Sequence, residues 1–338
     1  IDSPESVRGH AIAESEQSGN RTILLTSACI TKGRQGKEVA DLEALAEAGA
    51  AFFTDDGSYV ADDRVMEEAM RRAARLGLVV SQHAMDPAVQ QGGVIRDCAL
   101  ARRRGLPIIA PETETVAIRR DLAICRVTGC RLHVQHISTA EGVDLVRSAQ
   151  REGLPVTAEA TPHHLLLACD DLVADDANFK MAPPLGSRED RAELRRAVKE
   201  GVLMFATDHA PHPAEKKAGG FRTSANGIIG LEAAVAVTYA VMVAEEGMPI
   251  VDWARAWSEM PRALLAPACA AVPLAPTRVE IGGSFRIELE AFASLSRNCP
   301  YDGFVSVVRC RSEPPDDDTT VHPPCPLAHR RGGRRCGV

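Results

Sequence analysis

Along residues 20–210, short apolar runs rich in β-branched residues alternate with longer stretches whose apolar positions recur every three or four residues. The short runs are "TILLTSACI", "AAFFTDD", "LVVSQH", "RLHVQHIS", "PVTAEAT" and "LMFATDH". They predict strands, and a nearly continuous apolar run marks a strand buried on both faces. The stretches "KEVADLEALAEAGA", "DDRVMEEAMRRAARLG", "TETVAIRRDLAICRVTG", "TAEGVDLVRSAQREG" and "REDRAELRRAVKEG" predict amphipathic helices, several ending at a glycine suited to a C-cap. Strands and helices alternating in this way predict a parallel α/β sheet, either doubly wound or closed as a (β/α)8 barrel.

Two features favour the barrel. No G-x-G-x-x-G occupies a strand-to-helix turn, and the chemically capable residues collect at the C-terminal ends of several strands, where barrel active sites are built. The six units are two short of a closed barrel, and the chain opens at Ile1 rather than Met, so about the first two β/α units are expected to be missing. The expected organisation is a barrel over 1–265, incomplete at its N-terminus, then a remnant of a small β-sandwich over 266–308 containing "TRVEIGGSFRIELE". Residues 309–338, rich in Arg, Pro and Gly and without apolar periodicity, read as a disordered or foreign tail.

Composition narrows the partners. The 338 residues are 45% hydrophobic and 25% charged with a net charge of -7, and the two signs are interspersed. No basic stripe points to nucleic acid and no long apolar run points to a membrane, so a small molecule is the expected partner. The ten cysteines form no C-x-x-C pair and read as reduced, mostly buried residues. With no signal-peptide pattern at the N-terminus, the expected compartment is the cytoplasm.

Four strand ends carry metal-type ligands: Asp55-Asp56, His83, His136 and Asp208. Alternation along "RLHVQH" puts Leu132, Val134 and His136 on one face and His133 and Gln135 on the other, and it separates Asp208 from His209 in the same way. Carboxylates with neutral imidazoles suit zinc or a similar divalent ion. Such an ion activates water near neutral pH and polarises a carbonyl, and a carboxylate beside it can act as general base and then acid in amide hydrolysis. Each piece also has a plainer reading. "TDDG" is a good turn, a single histidine is commonly a core residue, "TPHH" at 161–164 offers another ligand pair but reads more simply as a Pro-interrupted strand end, and "AEKK" at 214–217 reads as a solvated loop. The joint occurrence at successive strand ends outweighs these.

The stretches "FTDDG", "RRDLAICRVTGCRLHVQHISTAEGVDLVRSAQREGLPVTAEATPHHLLL", "FKMAPPLGSREDRAEL", "ATDHAPHPAEKK", "NGIIGLEAAV" and "RNCPYDGF" resemble dihydroorotases of the bacterial class I type, in the amidohydrolase superfamily. The likeness spans roughly Ile1 to Phe304, and "TDHAPH" followed by "GIIGLE" is its most specific part. It implies a (β/α)8 barrel of the metal-dependent amidohydrolase type with one or two zinc ions. By that likeness Asp56 bridges the metals, His83 and His136 bind the second ion, and Asp208 binds the first and shuttles the proton. His212 and the backbone at Asn226 and Gly227 would contact the substrate. The reaction implied is the reversible ring closure of N-carbamoyl-L-aspartate to L-dihydroorotate in pyrimidine synthesis, by a homodimer or a complex with aspartate transcarbamoylase.

The sequence departs from that pattern in several places. It has no H-x-H pair for the first metal, no arginine following one, and no second-strand asparagine for substrate. It has Ala182 where many members have a substrate-binding asparagine, Gly186 where arginine is common, and "HAMD" in place of a more acidic stretch after His83. Little or no activity is therefore expected of the 338-residue chain. Two other readings compete. A non-catalytic dihydroorotase-like subunit supporting aspartate transcarbamoylase would have lost its ligands, which remain here. A hydantoinase-type or allantoinase-type enzyme usually bridges its metals with a carboxylated lysine, where this chain offers Asp55 and Asp56.

Overall fold

The computed structural model describes residues 1–9 and 25–265, together with the strands Thr277–Glu280 and Arg309–Ser312. The chain divides into two compact units, Ile1–Val272 and Pro273–Val338. In the second unit Thr277–Glu280 pairs antiparallel with Arg309–Ser312. The rest of the expected sandwich remnant and tail lies outside the described residues.

The first unit is built on a parallel sheet of five strands: β1 (Phe52–Phe53), β2 (Val79–Gln82), β3 (Arg131–Val134), β4 (Val156–Ala160) and β5 (Leu203–Phe205). Ala28 adds a parallel bridge to Phe53, so the first predicted strand survives as a single pairing at the sheet's near edge. The strands lie in the order of the sequence without reversal. A doubly wound sheet reverses at a switch point, whereas barrel winding steps always the same way. This is the order of part of a (β/α)8 barrel.

Helices follow the strands along the chain. They include α1 (Leu42–Glu47), α2 (Asp63–Leu76), α3 (Glu112–Thr128), α4 (Ala140–Arg151), α5 (Pro162–Leu166), α6 (Arg188–Lys199) and α7 (Ile250–Trp257). Their bounds follow from local chemistry. In α2 the Asp62 carboxylate accepts the Arg64 and Val65 amides, Gly77 closes the helix at φ 69°, and Met66, Ala69, Met70 and Ala73 bury one stripe. In α6 a capping box joins Ser187 and Asp190. Among the described residues no helix is long and apolar enough to cross a membrane.

Strand register sorts the sheet into two faces. Phe53, Val80, Leu132 and Val156 align on one face, and Ala158 with Leu203 and Ala160 with Phe205 continue it. On this face Phe205 meets Trp257 of α7 at a ring distance of 5.0 Å, so it is the side covered by helices. The opposite face carries Ser81, His133 and Thr157 in register, with Glu159 beside Met204. A polar inner face leading to the carboxyl edge of the sheet is what positions the site.

Candidate metal centre and active site

The two adjacent acids after β1 have different surroundings. Asp55 is buried and accepts the backbone amides of Ile30 (2.8 Å) and Thr31 (3.2 Å) and the Thr31 hydroxyl, tying β1 to the preceding loop. Asp56 follows in a turn closed by the Ser58 amide on the Asp55 carbonyl, with Gly57 at φ 76°. Its side chain is 59% exposed and points its Oδ1 to within 3.8 Å of His83 Nδ1 and 4.0 Å of His136 Nε2. "TDDG" is thus a turn that also carries a carboxylate toward the two histidines.

His83 Nδ1 and His136 Nε2 face each other across 3.0 Å, and with an Asp56 oxygen their ligand atoms lie within 4.8 Å of one another. Burial lowers the pKa of both imidazoles; Asp56 partly opposes this at His83, and at His136 the neighbouring His83 and His164 reinforce it. Both rings are therefore neutral, the form that binds a metal. Two neutral imidazoles and a carboxylate converging on one point fit a borderline divalent cation.

His136 reaches this point by a route that alternation does not describe. β3 ends at Val134, and His136 lies at φ 30°, in left-handed backbone uncommon for a non-glycine residue. The segment around it is pinned from two sides. The Glu159 side chain accepts the His136 amide (3.3 Å) while its carbonyl accepts the Ile137 amide (3.0 Å). Glu114 of α3, fully inside the protein, accepts the amides of Ser138 (2.9 Å) and Thr139 (3.0 Å) as well as both hydroxyls. His133 stays on the inner face, bonded to Thr157 (2.9 Å) and Glu159 (2.8 Å).

Asp208 likewise follows the end of its strand, at φ 44°. Its side chain is 19% exposed, and Oδ2 lies 3.7 Å from His163 Nε2 with no hydrogen-bond partner. Burial, then the charges of Asp56 and Glu159, push its pKa up to about 8. His163 is buried with both ring nitrogens unpartnered and its pKa driven down by burial. "TPHH" is therefore not a broken strand end. Thr161 caps a short helix, Pro162 fills its first turn, and His163 is presented toward Asp208 while His164 is held by Thr161 and the Pro183 carbonyl. The Thr-Pro pair is a helix-start signal that the plainer reading passed over.

The loop after Asp208 packs on the segment around Gly227. His212 Nε2 donates to the Asn226 carbonyl (2.8 Å), the Ala210 amide donates to Ile228, and His209 Nδ1 accepts the amides of Gly230 and Leu231. Gly227 sits at φ 151°, and a Cβ there would stand 2.3 Å from the Ala210 carbonyl oxygen, so only glycine allows this approach. Gly186 is also sterically required, because a Cβ would meet the Ser138 carbonyl oxygen at 2.5 Å. "AEKK" is not simply solvated either: Lys217 turns inward to backbone carbonyls. Glu159, Glu114 and Lys217 are residues around the site to which the sequence reading gave no role, and His163 is one it set aside in favour of a strand end.

The contrast between the two acids has a measurable consequence. Asp55→Ala strands two buried amides and should cost about 2–3 kcal/mol of stability, whereas Asp56→Ala should change stability by less than about 0.5 kcal/mol and abolish ion binding. Urea denaturation beside zinc titration checks both, and the reverse pattern would show that the acids had been assigned the wrong way round.

A sequentially wound parallel barrel sheet with carboxylate and imidazole groups able to hold a metal at its carboxyl edge is the framework of a metal-dependent amidohydrolase. The comparisons with known proteins agree. A dihydro-orotase-like family profile matches residues 11–142. The dihydroorotase of Bacillus caldolyticus is 42% identical over 291 residues, covering 84% of this chain and 68% of the relative. That of Carboxydothermus hydrogenoformans is 46% identical over 221 residues, covering 65% and 51%. Among solved structures, the L-hydantoinase of Arthrobacter aurescens superposes with a TM-score of 0.71 at 23% identity, covering 91% of this chain and 73% of that one. The dihydroorotase of Saccharomyces cerevisiae, in complex with 5-fluoroorotic acid, gives 0.64 at 16% identity, covering 84% and 80%. The structural likenesses speak to the fold, and the sequence relatives to the family. The chain belongs to the dihydroorotase family, hydrolases that act on cyclic amides.

Proposed function

We propose that this site interconverts N-carbamoyl-L-aspartate and L-dihydroorotate, with Asp56, His83 and His136 holding a divalent ion, zinc by its donor set, and Asp208 moving the proton. The observation that supports this most is the convergence of the three ligand atoms within 4.8 Å of one another. A bound ion would supply Lewis acidity toward the ring carbonyl and activation of water. In the hydrolytic direction Asp208 accepts the proton of the attacking water and delivers it to the ring nitrogen as the C–N bond breaks. His212 and the backbone at Asn226 and Gly227 position the ring.

Asp208 would also ligate a second ion, but the sequence contains no His-x-His pair to complete that shell. Turnover by the 338-residue chain is accordingly expected to be slow. The test is chelator-sensitive interconversion of dihydroorotate and carbamoyl-aspartate, run beside hydantoin and allantoin. Turnover indifferent to chelation and zinc restoration, or a preference for hydantoin, would overturn the reading. A kcat near the roughly 10 s⁻¹ typical of enzymes would refute the incomplete-shell argument alone.

A further inference from the structure

We infer that Lys217 is a positioning residue for the substrate pocket: its ammonium gathers the carbonyl oxygens of Lys180, Ala225 and Gly227 and so fixes the 225–227 backbone against His212. This rests on the reading of His212, Asn226 and Gly227 as substrate contacts.

The geometry is that of a clasp. Lys217 Nζ donates to Ala225 O (2.8 Å), Gly227 O (2.8 Å) and Lys180 O (3.3 Å), one carbonyl for each ammonium hydrogen. The backbone closes the same ring: the Gly227 amide donates to the Lys180 carbonyl (2.9 Å) and the Ala225 amide to the Lys216 carbonyl (3.0 Å). Lys180, itself buried, caps the Ser224 carbonyl at 2.6 Å, so a second ammonium holds the residue just before the segment. Burial and the neighbouring Lys180 lower the Lys217 pKa to about 8, against the pull of Asp176. At neutral pH it keeps three hydrogens for three acceptors.

Three carbonyl dipoles turned toward one point repel each other unless a cation stands between them, and a neutral side chain would leave the Ala225 and Gly227 carbonyls without this donor and the Lys180 carbonyl with the Gly227 amide alone. The segment they hold cannot settle elsewhere cheaply. Gly227 lies against Ala210 and His212 with no room for a Cβ, and the Asn226 carbonyl is the acceptor for His212. Lys217 thus sets the spacing between the proton-shuttle loop and the ring-binding backbone without touching the substrate. Arginine would substitute poorly, because its planar fork cannot aim three hydrogens at one focus.

The test compares the parent chain with Lys217→Met and Lys217→Arg by hydrogen exchange and by calorimetric titration with dihydroorotate, with zinc added. In Lys217→Met the amides of Ala225 and Gly227 should exchange at least tenfold faster, while those of Ser138 and Thr139, held by Glu114, keep their protection. Dihydroorotate should bind at least tenfold more weakly, zinc binding should be unchanged, and Lys217→Arg should fall between the two. Unchanged exchange at Ala225 and Gly227 overturns the clasp, and loss of protection at Ser138 and Thr139 as well overturns its local role. Faster exchange with unchanged affinity overturns the link to the pocket. A parallel His212→Asn variant then separates the causes: if it too binds dihydroorotate normally, the reading of the pocket has failed rather than the clasp.

Discussion

Asp208→Asn is expected to abolish whatever turnover the chain supports and, at the same time, to stabilise the metal-free protein. The loss of activity follows from removing the carboxylate proposed to move the proton, a role worth about 10²–10⁴-fold in rate. The gain in stability follows from its surroundings. Its Oδ2 has no protein donor, and burial with the charges of Asp56 and Glu159 raises its pKa to about 8. A folded-state pKa above the unfolded value means that the folded protein holds an extra proton between about pH 4 and pH 8. The contribution of this group to stability is then full below about pH 4 and is lost as pH rises through about 8. Asparagine removes the penalty without changing the side chain's shape. The variant should therefore match the parent near pH 4 and exceed it by several kcal/mol, up to about 5 kcal/mol, at pH 7.5. Urea denaturation in the presence of chelator at both pH values measures this, and the difference between variant and parent isolates the one group. A parent more stable at pH 7.5, or a difference independent of pH, would rule the account out.

That this carboxylate stands at the sheet's edge was legible in the sequence, but its backbone was not. The six strand runs and their order were readable because each apolar run is long enough to be buried on both faces. The helices were readable because Met66, Ala69, Met70 and Ala73 repeat at helical spacing between an Asp cap and a Gly stop. The period-two argument failed where the strands stop. Beyond Val134 and Phe205 the chain leaves the extended region, and His136 and Asp208 reach the site from left-handed backbone that no side-chain pattern announces. Lys217 and Glu114 were illegible for another reason. Each acts on atoms of the main chain, which every residue carries, so only the fold says which carbonyls or amides converge on them.

The other large effect expected is loss of the divalent ion on replacing His136, and the left-handed backbone at that position decides which substitution is informative. Alanine at φ 30° would add backbone strain to the loss of a ligand, and a failure to bind zinc could then come from either. Asparagine tolerates this region better than other non-glycine residues, so His136→Asn should keep the turn that Glu114 and Glu159 hold. Its zinc affinity should nonetheless fall by at least about 100-fold, since losing even a supporting partner of a ligand costs about 10–100-fold. His83→Asn should behave alike, as its Nδ1 stands 3.0 Å from the same His136 nitrogen. The parent's pH profile belongs to the same argument. Burial lowers the pKa of both imidazoles, that of His136 well below the ordinary histidine value, so protons compete weakly at these two side chains. Neither histidine should therefore limit zinc retention as pH falls through 6.5, where unperturbed imidazoles would begin to release it. Calorimetric titration of zinc into chelator-stripped protein gives all of these quantities. Equal affinity in parent, His83→Asn and His136→Asn would place the ion elsewhere.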